Sequence, residues 1–109
     1  MEQIFNKLVR DNIPDKIEKN GEVAVTRILN SEEYRDELYK KLLEEANEVV
    51  NAKTKEDILE ELADVYEVVR AISELENSNI DNIVEISDNK KLKRGGFTKR
   101  IFLVKTYKK

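Results

Sequence analysis

Two acidic pairs with helical spacing are the residues in this chain best suited to chemistry: Glu45-x-x-Glu48 and Glu61-x-x-Asp64. Residues three apart on a helix project from one face, with about 5–6 Å between Cβ atoms, so each pair can aim two carboxylates at one point. A short polar break, Asn51 to Thr54, separates them. If that break folds two helices against each other, four carboxylates converge, and they repel unless a cation neutralises them. An all-oxygen site of this kind suits Mg²⁺, with Mn²⁺ or Ca²⁺ as alternatives. The competing reading is a solvated acidic face, because E-x-x-E spacings arise by chance in any Glu-rich helix.

The elements that must hold these groups can be placed from local signals. Pro14 fits the first turn of a helix, which runs through Asp15–Glu18 and stops near Asn20-Gly21, an αL terminator. Residues 22–29, EVAVTRIL, are rich in β-branched side chains and read as a strand. Ser31 serves as an N-cap, followed by Glu32 and Glu33, and the helix it opens reaches about Asn51. Its apolar stripe is Leu38, Leu42, Ala46, Val49 and Val50, with Leu43 alongside. Thr54-Lys-Glu-Asp57 resembles a capping box with Asp in place of Glu, and opens a helix carrying Ile58, Leu62, Val65, Tyr66, Val69 and Ile72. Ser78-Asn-Ile-Asp81 caps a third long segment that ends at Gly95-Gly96. Residues 100–107, RIFLVKTY, read as a second strand, which could pair with 22–29.

At about 100° per residue, Glu45 lies beside the stripe of its helix and Glu61 beside the stripe of its own. Glu48 and Asp64 each sit one step further round. When the two stripes pack, both pairs border one seam; either pair alone fits a chance pattern better, and the shared offset brings a metal site level with it.

Composition narrows the chemistry. The chain has 109 residues, enough for one domain over 1–109 with a small core that a partner subunit would enlarge. It has no Cys and no His, so thiolate nucleophiles, disulfides, imidazole bases and the usual Zn²⁺ ligands are excluded. Catalysis, if present, falls to carboxylates, Lys, Arg, Tyr, hydroxyls or a metal. No apolar run approaches the roughly 20 residues of a bilayer span, and the opening MEQIFNKLVRDN lacks the apolar core of a signal peptide. A cytoplasmic protein with neither a membrane nor a nucleic-acid partner is expected.

The net charge of −3 conceals an asymmetry: residues 32–76 carry fifteen acids and six bases, whereas 90–109 carry nine bases and no acid. Lys90 and Arg94, four apart, share a helix face just before the Gly pair, where backbone N–H groups can approach an anion. A cationic helix C-terminus with a Gly stop explains the same residues without a ligand. Near the other end, Lys7 and Arg10 in KLVRDNIP could contact phosphate or could be surface charges flanking Leu8 and Val9.

The acidic arrangement, with a spacer of twelve between its pairs, resembles the metal site of the MazG-like all-α nucleoside triphosphate pyrophosphohydrolases. KLVRDNIP and KRGGFTKRIFL are similar to the ends of a small single-domain, house-cleaning branch of that superfamily, so the likeness spans nearly the whole chain. The resemblance implies a mainly α fold, a bundle of antiparallel helices, to which the 22–29 and 100–107 stretches could add a small two-stranded β element. It implies hydrolysis of a nucleoside triphosphate, often noncanonical, to the monophosphate and pyrophosphate with Mg²⁺, or Mn²⁺ in its place. It also implies a homo-oligomer, expected to be a dimer. Glu45, Glu48, Glu61 and Asp64 match its metal ligands. Lys90 and Arg94 match basic residues near the phosphates, and Lys7 and Arg10 are further candidates for substrate binding. Elementary chemistry agrees, because phosphoryl transfer asks mainly for positioning and charge neutralisation. Glu45 or Glu48 is the candidate to orient the attacking water or take its proton. Two rivals share these residues: a metal- and nucleotide-binding regulatory module without turnover, and a structural helical protein whose acids are merely solvated.

Overall fold

Four helices, α1 (Ile13–Lys19), α2 (Ser31–Asn51), α3 (Lys55–Leu75) and α4 (Ile80–Arg94), make up the computed structural model, which describes residues 1–109. Pro14 opens α1, and Gly21 at φ +89° closes it with its N–H on the Glu18 carbonyl. The caps of the longer helices are side chains that satisfy otherwise orphaned N–H groups. Thr54 accepts from the Asp57 N–H at 3.1 Å, as the capping-box pattern predicts. At the other two starts the cap lies one residue from the expected position. Asn30, not Ser31, accepts from Glu33 N, and Asn79, not Ser78, accepts from Asn82 N. The Asn carboxamide reaches the third N–H from those positions, which leaves Ser31 inside the first turn and Ser78 bonded to the Asn82 amide.

The long helices α2 and α3, joined by three residues, form an antiparallel hairpin whose open end is tied by an Arg35–Glu76 ion pair. Its core is thin. Leu38 on α2 and Val68 and Ser73 on α3 are the buried residues, with Leu42, Val49, Val65 and Ile72 half-buried around them. Asn77, at φ +59°, turns the chain after α3 in the αL conformation that Asn tolerates. The chain then returns as α4 along the Leu62–Tyr66–Val69 side of α3, leaving an apolar groove between them. No helix is long and apolar enough to cross a membrane.

The fold is therefore the mainly helical one expected, with a correction at its margins. Neither 22–29 nor 100–107 forms a strand. The reason is topological. The first stretch leads into the N-terminus of α2, while the second leaves the C-terminus of α4, at the opposite end of the hairpin. Arg100, at φ +58° with its N–H on the Phe97 carbonyl, also turns the second stretch at its first residue. Both stretches run in the open, Val25 at 95% and Phe102 at 88% exposure.

Candidate metal centre

The α2 and α3 faces that meet are set by helical period. Glu45 stands two turns beyond Leu38, and Glu61 and Asp64 stand two turns and one turn before Val68. At about 100° per residue all three fall within roughly 40° of those buried apolar side chains, so they extend the packed seam itself. Each offers a carboxylate oxygen, and these oxygens lie within 4.8 Å of one another with every residue half-buried. Glu48 is about 80° from Leu38 by the same count and points away; it is exposed and outside this tight group. Its charge still acts on both Glu45 and Glu61.

The electrostatics are uneven across the three. Partial burial, and then the charges of Asp64, Glu48, Glu45 and Asp57, hold the Glu61 carboxyl above the ordinary glutamate value, and no cation offsets them. Burial also raises Glu45, against the pull of Lys41, whose Nζ is 3.7 Å from its Oε1. Asp64 is matched instead by Arg10, whose Nη2 donates to Oδ1 at 2.8 Å. Lys7 donates to Glu44 at 3.0 Å and lowers that carboxyl. The opening KLVRDN segment thus lies across the acidic seam, with both of its cations on carboxylates. Glu44 and Lys41 enter this constellation as partners that motif reading passes over. The i, i+4 spacing of Lys41 and Glu45 and the i, i+3 spacing of Lys41 and Glu44 are the signals that mark them.

Lys90 and Arg94 stand apart from this arrangement. Both are exposed on the last turns of α4 and neither forms an ion pair with an acid. Lys91, Lys93 and Arg94 also complement the C-terminal end of the helix dipole, and Gly95, at φ +83°, ends the helix.

The donor set fits a small hard cation. Mg²⁺ binds oxygen at about 2.0–2.1 Å in octahedral geometry and Ca²⁺ at about 2.3–2.6 Å. Oxygens around one such ion lie up to roughly 5 Å apart, and the Glu45, Glu61 and Asp64 oxygens, all within 4.8 Å of one another, fall inside that limit. Three carboxylates leave further positions for water and phosphate, the usual division of labour at Mg²⁺. No family model matches this chain, and neither a curated protein nor a solved structure does.

Proposed function

We propose that this protein hydrolyses a nucleoside triphosphate across its α–β phosphate bridge, adding one water and releasing the monophosphate and pyrophosphate. The observation that carries this reading is the meeting of Glu45, Glu61 and Asp64 across two helices, with Glu61 uncompensated by any cation. Like charges gathered on a packing seam cost stability, and a divalent cation removes that cost. Bound there, Mg²⁺, or Mn²⁺ in its place, would supply positive charge against the phosphate oxygens and the departing pyrophosphate.

The chain's own groups supply the rest. Glu45, within the tight group, or Glu48, outside it and open to solvent, would orient the attacking water and accept its proton. Arg10 and Lys7, already at the rim, exchange their carboxylate partners for phosphate oxygens when nucleotide arrives. Lys90 and Arg94, unpaired, add charge toward the phosphates if the α4 end comes over the seam of the same chain or of a second one. The MazG-like resemblance of the sequence supports the same assignment. It extends to a house-cleaning role on noncanonical nucleotides, in the cytoplasm, by a homodimer.

Pyrophosphate release from a panel of standard and damaged nucleoside triphosphates, with and without Mg²⁺, tests the proposal. Metal-dependent release from at least one nucleotide is the expected result. Nucleotide binding without release would leave a regulatory module. No release and no Mg²⁺-dependent rise in melting temperature would return the acids to a solvated face.

A further inference from the structure

The surface of this chain is too large for its mass. It exposes 10420 Å², whereas a self-contained folded protein of 12.7 kDa exposes about 6,200 Å². The excess is roughly 4,000 Å² per copy, about 8,000 Å² for a pair, so covering only part of it would supply the total of about 2,000 to beyond 5,000 Å² that obligate interfaces bury. Beside the open N-terminal and 22–29 stretches, two apolar parts of it stand out. One is the groove between α3 and α4, about 320 Å³, lined by Leu62, Val65, Tyr66, Ile80, Ile83 and Val84. The other is the arm after α4, where Phe97, Ile101, Phe102, Leu103, Val104 and Tyr107 are all 73% exposed or more.

The two are complementary in charge as well as in apolarity. Residues 96–109 contain Lys99, Arg100, Lys105, Lys108 and Lys109 and no acid. The half of α4 that walls the groove, Ile80–Asp88, contains Asp81, Glu85 and Asp88 and no base. The arm does not cover the groove of its own chain. It leaves from the far end of α4, and the molecule extends over 67 Å in its long direction.

We propose that two copies of this chain form one folded unit in which each C-terminal arm, residues 97–107, lies in the α3/α4 groove of the other copy. A two-fold axis makes the exchange self-complementary and closed, so both arms and both grooves are covered at once. This follows from surface and charge alone and does not depend on the hydrolase reading.

The chain has no Cys, which makes site-directed cross-linking clean. Chains bearing Leu103→Cys are refolded with chains bearing Val84→Cys and treated with a short bismaleimide. The expected product is a covalent pair joining one of each. In the double variant, a 103–84 link formed inside a single chain would overturn the proposal. Sedimentation at tens of micromolar should show a dimer, and the full-length Phe102→Ser/Leu103→Ser variant should dissociate about tenfold more readily or worse, the scale of losing apolar anchors. Lys105→Glu should weaken association in a salt-dependent way. A monomeric wild type, or a dimer indifferent to the arm substitutions, would refute the exchange, while pyrophosphate release reports separately on the metal centre.

Discussion

Asp64 and Glu61 differ in what faces them, and that difference separates two substitutions that sequence spacing treats alike. Asp64 gives up an ion pair with Arg10 when it becomes Asn, so metal-free stability should fall slightly, by about 1 kcal/mol or less for an exposed pair. Glu61 gives up only acidic neighbours when it becomes Gln, so metal-free stability should rise. On the proposed metal centre, millimolar Mg²⁺ should raise the melting temperature by mass action, and both variants should lose most of that increase. Equal behaviour of Glu61→Gln and of Glu32→Gln, a glutamate off the seam, would count against a site. The same asymmetry predicts a pH dependence. Burial and acidic neighbours raise Glu61, and burial raises Glu45 against Lys41. A carboxyl raised in the folded state carries its ionisation penalty in full above the raised pKa and sheds it as pH falls toward the ordinary 4.5. Metal-free stability should therefore increase as pH falls from neutrality through that window. The gain should reverse at lower pH, where carboxylates held down by partners, such as Glu44 beside Lys7, lose their pairs. Urea midpoints across this range check the sign, and Glu61→Gln should flatten the rise.

The helices hold these groups through a narrow core and good caps, so each is expected to matter more than its size suggests. Leu38→Ala should cost about 2–5 kcal/mol, because the side chain is 2% exposed at the centre of the α2–α3 hairpin. Thr54→Ala should cost about 1 kcal/mol by leaving the Asp57 N–H without its acceptor at the turn that brings Glu45 to Glu61 and Asp64. Thermal melts of both variants measure this. Much of this layer was legible beforehand. Apolar period and capping residues marked the helices, Thr54 was read at its exact turn, and the offset of Glu45 and Glu61 from their stripes brought them to one seam. Other parts were not. Asn30 and Asn79 took the caps expected of Ser31 and Ser78, a choice between neighbours that backbone angles make. The β-branched stretches 22–29 and 100–107 carry strand propensity, but propensity says nothing of where α4 delivers the second stretch. Nor could spacing show that Arg10 would sit on Asp64, a contact 54 residues apart in sequence. At the end of α4, Lys90→Ala and Arg94→Ala should each lower kcat/KM by about one to three orders of magnitude if these residues meet a developing anion. Unchanged kinetics would leave them as complements to the helix dipole.

At the scale of the molecule, the proposed arm exchange would make stability and assembly one quantity. Three buried residues in 109 cannot offset the conformational entropy of ordering a chain this long, which costs on the order of 1–2 kcal/mol per residue in the backbone alone. On the proposed arm exchange the missing burial comes from the surface between copies, so unfolding and dissociation should occur together. Mass action then requires the melting temperature to climb with protein concentration, by about a few degrees for each tenfold increase, given the small unfolding entropy of a domain this size. Calorimetry from low to high micromolar concentration would show the climb. If Mg²⁺ binds as proposed, it should add a shift of its own at every concentration, because the proposed ligands, Glu45, Glu61 and Asp64, all come from one chain. Arm substitutions should lower the concentration-dependent part and spare the Mg²⁺-dependent part, while Glu61→Gln should do the reverse. A melting temperature independent of concentration in the wild type would mean that the helical hairpin stands alone, and that its exposed groove and arm have no role in holding the fold.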